Sequence, residues 1–296
     1  MIERGVLQLA GEDLPCFRAR GAQDGPDVSL IGGIHGCEYS SIAAVVRVLR
    51  ELDVAELSGS ITAVPVVSME SYRQRSPFVV PEDGKNLNRT FPGDPGGSYT
   101  ERLANDIFTR LIEPADALLD LHGGDLVEAL EPFALYTDVE PSHEMALAYG
   151  LPYVVASTDS LAGMTATAAA NAGVPAIIAE AGGIGQLDES AVQLLADGTR
   201  SALRVLGALP GEPPAAHSRD VGDFVWMRCA RAGFWAAAVR TGDEVEEGAL
   251  LGEVRDLYGD VIEEVCAPKP GVLLFLTTSA AVADDGLLLG LGADIR

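Results

Sequence analysis

The stretch VSLIGGIHGCEYSSIAAVVRVLREL, residues 28–52, contains the pattern that decides the fold. Its first part, VSLIGG (28–33), is a short apolar run typical of a strand that is buried on both faces. Its second part, EYSSIAAVVRVLREL (38–52), repeats apolar residues at the spacing of an amphipathic helix. A buried strand that turns sharply into a helix is the unit from which parallel sheets covered by helices are built.

The same alternation continues through the first two-thirds of the chain. Strand-like runs occur at 60–67, 117–121, 153–157 and 174–180, and helical patterns at about 100–112, 161–172 and 188–207. Such alternation predicts an α/β fold, with helices on both faces of a mixed, largely parallel sheet.

A stretch rich in proline and glycine, GALPGEPPAAHSRD (207–220), interrupts this pattern. Beyond it the strand-like runs are short, turns are frequent, and no helical pattern stands out. We interpret residues 1–210 as the catalytic α/β domain and residues 220–296 as a small all-β domain, with a linker at about 207–220.

Charge and apolar content limit the partners. The 296 residues include 20 basic and 44 acidic side chains, a formal net charge of −24, and such a surface repels nucleic acid. The longest apolar runs are far shorter than a membrane span, and MIERGVLQLA at the start has charges where a signal peptide needs apolar residues. The four cysteines form no C-x-x-C pair. We expect a cytoplasmic protein with reduced thiols that binds neither nucleic acid nor membrane.

Two histidines and a glutamate follow predicted strands. His35 and Glu38 are three residues apart, a spacing that would place both on one face of a helix, and His122 directly follows the strand at 117–121. Because the carboxyl ends of parallel strands meet at one edge of a sheet, we expect the three side chains to converge. Two imidazoles and a carboxylate with a free fourth position describe a catalytic zinc site. Alone, the H-x-x-E spacing is equally compatible with a structural role.

Further polar residues lie near this predicted site. Glu180 ends the strand at 174–180 and is either a general base or a structural acid. Asp120 either orients a ligand histidine or is an ordinary acid at a strand end. Asp125 and Glu128, close after His122, would suit a substrate with an extra amino group.

The loop-like stretch 73–93, RQRSPFVVPEDGKNLNRTFPG, contains the candidate substrate-binding groups. Arg89, beside Asn88, is suited to hold a carboxylate with its bidentate guanidinium. Arg75 is suited to stabilise the oxyanion of a tetrahedral intermediate. Read alone, each arginine is also compatible with a surface position.

Four motifs in this order, GGIHGCE, DGKNLNRTFPG, DLHGGD and EAGG, resemble those of the succinylglutamate desuccinylase/aspartoacylase family of zinc carboxypeptidase-like hydrolases. The resemblance extends over nearly the whole chain and implies one Zn²⁺ per chain, held by His35, Glu38 and His122. It implies Glu180 as the general base, Asn88 and Arg89 as binders of a substrate carboxylate, and Arg75 as the group that polarises the scissile carbonyl. Cys37 departs from the family, which more often has asparagine there.

The C-terminal segment is also similar to the hairpins of biotinyl and lipoyl carrier domains. Those carriers need a lysine at the hairpin tip, where this chain has RDLYGD (255–260), and Lys269 lies in a later turn. We therefore expect a wall or gate over the zinc cleft rather than a covalently attached cofactor. Tyr258 at the tip is either near the cleft or an ordinary turn residue.

The sequence thus predicts a zinc-dependent amidohydrolase, a deacylase that cleaves a small N-acyl amino acid or related amide bearing a carboxylate. One alternative is a metallocarboxypeptidase acting on peptide C-termini, and the capped or open form of the cleft would distinguish the two. The other is a non-catalytic, metal-stabilised binding protein, which would have no use for a base such as Glu180.

Overall fold

The computed structural model describes residues 1–157, 162–215 and 217–296. In the larger part of the chain the strands are β1 (Ile2–Leu9), β2 (Glu12–Arg20), β3 (Gln23–Gly32), β4 (Ser58–Val64), β5 (Ala117–His122), β6 (Glu128–Leu130), β7 (Phe133–Tyr136), β8 (Tyr153–Ala156), β9 (Ala176–Glu180) and β10 (Arg219–Val221). The helices are α1 (Tyr39–Glu51), α2 (Met69–Gln74), α3 (Tyr99–Ile107), α4 (Ser142–Tyr149), α5 (Thr165–Asn171) and α6 (Glu189–Val205). A 3₁₀ turn spans Leu87–Arg89, and a π-helical turn, Phe108–Ile112, extends α3.

Within the described residues, nine strands form one sheet in the order β1-β2-β4-β3-β5-β9-β7-β8-β10. The central pairs β4/β3, β3/β5 and β5/β9 are parallel, as are β7/β8 and β8/β10. The pairs β1/β2, β2/β4 and β7/β9 are antiparallel. The predicted mixed, largely parallel α/β fold is confirmed.

Helices cover both faces of this sheet because its central strands are apolar on both sides. Successive residues of a strand point to opposite faces, so Leu119 packs in the cluster with α1, α4 and α6, whereas Leu118 packs in the cluster with α3 and α5. In β9, Ile177 and Ile178 divide between the two clusters in the same way.

The elements differ from the predicted ones mainly at their ends. The strand expected at 60–67 is β4, and the helix expected at 188–207 is α6. The helix expected over 161–172 corresponds to α5, and residue 161 lies outside the described residues, as does residue 216 of the expected linker. The hairpin β1/β2 was not predicted, because its apolar residues are interrupted by exposed charged ones and form no continuous apolar run.

The C-terminal segment forms two further sheets. Its strands are β11 (Asp223–Arg228), β12 (Gly233–Ala237), β13 (Glu244–Val245), β14 (Leu250–Arg255), β15 (Val261–Cys266), β16 (Gly271–Thr277), β17 (Ala281–Val282) and β18 (Leu287–Ala293). One sheet has the order β11-β18-β16-β13 and the other β15-β14-β12-β17. A small core around Trp235, Leu251 and Leu289 lies among them. The boundaries at 210 and 220 remain a prediction.

Strand β6 joins the two parts of the chain. It pairs antiparallel with β16, so that Leu130 lies opposite Phe275 and Glu128 opposite Thr277. The main-chain N–H of Glu131 donates to the carbonyl of Leu274 (3.0 Å), immediately beyond this pairing. The C-terminal sheet is therefore fixed beside the carboxyl edge of the large sheet.

Among the described helices, none combines the length and the apolar character needed to cross a lipid bilayer.

Candidate metal centre and active site

Three neighbouring strands deliver the predicted site residues to one edge of the sheet. His35 and Glu38 follow β3, His122 ends β5, and Glu180 ends β9. The parallel register places His122 directly beside Glu180. These positions are at the carboxyl ends of the strands, where open α/β sheets form their sites.

The structure corrects the reason given for the approach of His35 to Glu38. Helix α1 begins at Tyr39, so His35 lies in the preceding turn and Glu38 immediately before the helix, rather than both on one helical face. Gly36 allows this turn to lie against α2, since a Cβ there would be 2.1 Å from the backbone nitrogen of Tyr72. The turn, and not a helical repeat, brings the two side chains together.

The three predicted metal ligands form a compact buried cluster. Their donor atoms all lie within 4.8 Å of one another. Glu38 lies between the histidines, with Oε1 2.6 Å from Nδ1 of His35 and Oε2 3.0 Å from Nδ1 of His122. Glu38 and His122 are 3% and 1% exposed. Among the described residues this is the one group of histidine, cysteine and carboxylate side chains with the spacing of a metal site.

The outer nitrogens of both imidazoles are engaged by acceptors. Nε2 of His35 lies 3.1 Å from Oδ1 of Asn86, an oxygen that also accepts the main-chain N–H of Asn88. Nε2 of His122 lies 3.1 Å from Oδ2 of Asp120, which also accepts the hydroxyl of Thr165. Each Nε2 therefore carries a hydrogen, and in a neutral ring Nδ1 presents a lone pair to Glu38. Two imidazole lone pairs and a carboxylate that face one another fit a cation.

The carboxylates of the cluster also favour a positive charge between them. Burial favours the neutral form of Glu38, but His122 and His35 outweigh it and lower the pKa of that carboxyl to about 2. Burial also works against a charged His122, yet Asp120 and Glu38 raise its pKa well above the usual value. The carboxylates thus favour the binding of either protons or a metal ion to this cluster, and the two compete for the same donor atoms.

Glu180 lies beside the cluster and lines the same cavity. Burial raises its pKa to about 8, and the charges of Glu38 and Asp120 act in the same direction, whereas His122 and Arg89 oppose them. A carboxyl group with a pKa near neutrality can both take up and release a proton during turnover.

Asn88 and Arg89 reach the cavity from the 3₁₀ turn. Oδ1 of buried Asn88 accepts the main-chain N–H of Thr165 (3.0 Å), which leaves its amide nitrogen as a donor. Nη1 of Arg89 donates to the carbonyl of Asn88 (2.7 Å), and within the described residues no carboxylate forms an ion pair with its guanidinium. Arg89 therefore keeps capacity for an anionic ligand.

The structure does not bring Arg75 to the cavity. Arg75 is exposed at the end of α2, in the left-handed backbone region (φ 54°), and is not among the described residues that line the cavity. Tyr258 is 95% exposed at its hairpin tip and also lies outside the lining. The role of Arg75 as an oxyanion group remains a prediction without support from its position.

Asp125 and Glu128 have different environments. Both oxygens of buried Asp125 accept main-chain N–H groups, from Phe78 (2.8 Å) and Leu126 (2.6 Å), so Asp125 shapes the loop. Glu128 lines the cavity, and burial, reinforced by Glu38, raises its pKa to about 8. Oε2 of Glu128 accepts the main-chain N–H of Asp125 (3.1 Å), so Oε1 of Glu128 is the oxygen of this pair that is open to a substrate.

The cavity has a volume of about 530 Å³. His35, Glu38, His122, Glu180 and Arg89 form what we call its polar end. The C-terminal sheet adds apolar side chains that the sequence analysis did not select, foremost Phe224, Trp226 and Phe275. The spacing of Phe224 and Trp226, two residues apart in DFVWMR, is the period-two signal that would have placed both on one face of a strand.

Parallel strands that deliver two histidines and two glutamates to one cavity define the class as an α/β protein with a candidate metal centre at the carboxyl edge of its sheet. Residues 24–206 match the succinylglutamate desuccinylase/aspartoacylase catalytic domain. That match covers more than half of the chain, and the chain belongs to this family. The predicted family is confirmed.

Similar proteins agree with this class. The N-alpha-acetyl-L-2,4-diaminobutyric acid deacetylase of Halomonas elongata is 31% identical over 268 residues, which cover 84% of this chain and 77% of that protein. The product-bound ectoine utilization protein EutE (DoeB) from Ruegeria pomeroyi superposes with a TM-score of 0.87 at 25% identity, covering 99% of this chain and 95% of that one. A succinylglutamate desuccinylase/aspartoacylase from Rhodobacter sphaeroides shares the fold, with a TM-score of 0.85, 23% identity and coverage of 100% and 95%.

Proposed function

We propose that the chain is a zinc-dependent amidohydrolase that cleaves the linear amide of an N-acyl amino acid or a related small amide bearing a carboxylate. The observation that carries this proposal is the buried cluster of His35, Glu38 and His122, whose inward lone pairs lie in one cavity with Glu180 and Arg89. Similarity to a deacetylase of an N-acetylated amino acid supports the substrate class.

His35, Glu38 and His122 would hold one Zn²⁺ per chain, since two imidazoles and one carboxylate are the ligand set of a hydrolytic zinc site. A zinc ion in that position supplies Lewis acidity, which makes water more acidic and polarises a carbonyl group. Asp120 and Asn86 contribute by fixing the tautomer and orientation of the two rings.

Glu180 would move the proton. In its ionised form it takes a proton from the attacking water, and in its protonated form it returns that proton to the leaving amine. Its pKa is raised to about 8 in the metal-free site, and a bound cation would lower it towards neutral pH, which suits both halves of this task.

Arg89 and Asn88 would orient the substrate. The guanidinium accepts a carboxylate in bidentate fashion, and the amide nitrogen of Asn88 supplies a further donor. Because Asn88 is tied to Thr165, and Thr165 to Asp120, the carboxylate-binding turn and the ligand His122 are held by one chain of hydrogen bonds. A substrate whose carboxylate is bound at Arg89 would thereby have its amide bond at a fixed distance from the metal ligands.

Metal analysis combined with a hydrolysis screen tests the proposal. Purified protein is expected to contain about one zinc per chain and to hydrolyse N-acetyl amino acids faster than dipeptides and tripeptides, with loss of activity on chelation and recovery with zinc. Faster release of C-terminal residues from peptides would favour the carboxypeptidase alternative. Zinc-loaded protein that hydrolyses no amide in a broad panel would favour a binding protein.

A further inference from the structure

One side of the cavity is a continuous apolar surface formed by Leu130, Phe133, Phe224, Trp226 and Phe275, which we call the aromatic wall. Its rings touch in sequence, with centroids 5.9 Å apart for Phe133–Phe224, 4.6 Å for Phe224–Trp226 and 5.7 Å for Trp226–Phe275. The wall lines the same cavity as the polar end, so a ligand held at Arg89 and Glu180 lies within reach of it.

The aromatic wall is distinct from the hydrophobic core of the C-terminal sheets. Phe224 and Trp226 point to the cavity, whereas Val225 and Met227, between and after them, pack into the core around Trp235. Trp226 is 40% exposed and lines the cavity, so its ring is open to a ligand there.

A glycine makes room for this surface. Gly290 of β18 lies opposite Trp226 on one side and opposite Phe275 on the other. A Cβ at this position would be 2.6 Å from the ring of Phe224 and 3.2 Å from Cβ of Phe275. The absence of a side chain at Gly290 therefore leaves the space that the ring of Phe224 occupies.

The five residues of the wall carry no charge, and Arg228, beside them on β11, also lines the cavity. Arg228, on the same face of β11, donates to the carbonyl of Asp285 (2.6 Å), and its guanidinium lies 3.7 Å from the carboxylate of that residue. The acidic groups of the cavity, Glu180 and Glu128, come from the other part of the chain. A cationic substituent placed on the wall would lose its hydration without gaining a carboxylate partner from it.

We propose that the substrate carries an apolar or aromatic group that packs on the aromatic wall, either in its acyl chain or in its amino-acid side chain. This inference rests on the proposed amide hydrolysis and specifies its substrate class. It differs from what the name of the Halomonas elongata relative states, since 2,4-diaminobutyric acid has a second amino group and its acetyl group is short.

Two substrate series distinguish the two sources of the apolar group. The first lengthens the acyl chain on alanine from acetyl to butanoyl and hexanoyl, and the second enlarges the side chain of N-acetyl amino acids from alanine to leucine and phenylalanine. In the series that reaches the wall, kcat/KM is expected to rise about fourfold for each buried methylene. Flat or falling values in both series, or a preference for N-α-acetyl-2,4-diaminobutyric acid over every apolar substrate, would overturn the proposal.

Variants show whether the wall causes the preference. Trp226→Ala is expected to lower the ratio of kcat/KM for the best apolar substrate to that for N-acetylalanine by about tenfold. Phe234→Ala is the matched control, because Phe234 is 49% exposed on β12 and is not among the described residues that line the cavity. An equal change of the ratio in both variants would contradict the assignment.

A binding measurement separates this inference from the proposed function. Titration with hexanoate and with phenylalanine, two hydrolysis products, is expected to change the fluorescence of the wild-type protein but not of Trp226→Phe, which keeps the buried Trp235. A change without hydrolysis of any substrate supports the wall and refutes the hydrolase. Hydrolysis of N-acetylalanine without a fluorescence change and without an apolar preference refutes the wall and supports the hydrolase.

Discussion

The polar end of the cavity and the aromatic wall lie side by side, yet they are built in different ways. The polar end collects residues from turns and strand ends of a parallel sheet, and both of its histidines are held by a further residue, His35 by Asn86 and His122 by Asp120. The wall uses the alternation of side chains along antiparallel strands, with Phe224 and Trp226 on one face. The proposed chemistry thus depends on a few fixed contacts, whereas the proposed choice of substrate depends on packing against an apolar surface.

Glu180→Gln tests the polar end most severely. The amide keeps the shape of the side chain but cannot take up a proton, so kcat is expected to fall about a thousandfold while the zinc content is unchanged. Steady-state hydrolysis of an N-acetyl amino acid and metal analysis measure the two quantities. Glu131→Gln, outside the cavity lining of the described residues, is the control. A kcat within twofold of wild type would remove Glu180 from the mechanism.

Asp120→Asn tests whether the hydrogen bond between Asp120 and Nε2 of His122 contributes to zinc affinity. Loss of the charged acceptor is expected to weaken zinc binding about tenfold to a hundredfold, as measured by competition with a chelator. Asp116→Asn, at the exposed start of β5, serves as the control and should bind zinc as wild type does. Equal affinity in the two variants would mean that Asp120 does not support the site.

Arg89→Lys has a smaller expected effect, because the charge remains and only the bidentate geometry is lost. KM for an N-acyl amino acid is expected to rise about tenfold with little change in kcat. The matched substrate whose carboxylate is replaced by a carboxamide provides the control, since its KM should respond far less. If both substrates weaken equally, Arg89 does not bind the carboxylate.

The last prediction concerns the free energy of unfolding. Its dependence on pH is expected to differ between a variant at Glu128 and a variant in the aromatic wall. The pKa of Glu128 is raised from 4.5 to about 8, so between these values the folded protein keeps a proton that the unfolded chain releases. Stability therefore falls as the pH rises through this window, and Glu128→Gln is expected to stabilise the metal-free protein at pH 8 but to have little effect at pH 4.

Trp226→Ala provides the contrast for that measurement. Its effect on the free energy of unfolding is expected to be the same at both pH values, because no titrating group is removed from the wall. Urea unfolding of the chelated proteins at the two pH values gives both quantities. A pH-independent gain in Glu128→Gln would contradict the raised pKa.

Much of the polar end could be predicted, since strand ends of a parallel sheet are readable from apolar runs. His122 and Glu180 were placed correctly because each follows such a run, and the structure brings them side by side. The reason given for His35 and Glu38 was wrong, since local spacing does not distinguish a helix from the turn before it. Arg75 was chosen from a loop, where no periodicity fixes the direction of a side chain.

The wall could not be predicted from the same reasoning. A short strand such as β11 shows its alternation only over Phe224, Trp226 and Arg228, and nothing local indicates which face meets a cavity. The pairing of β16 with β6 places the C-terminal sheet beside the cavity, and it joins segments about 145 residues apart. The spacing of residues within a short stretch of sequence does not reveal such a long-range pairing.

The pairing of β6 with β16 also limits how such proteins can be recombined. A chimaera that took its C-terminal sheets from a relative would leave Glu128–Leu130 paired with a foreign edge, in a segment that itself lines the cavity. An exchange of specificity would therefore have to transfer residues 127–131 together with β16. The junction for such grafting lies within the cavity rather than at the proline-rich stretch between the two parts of the chain.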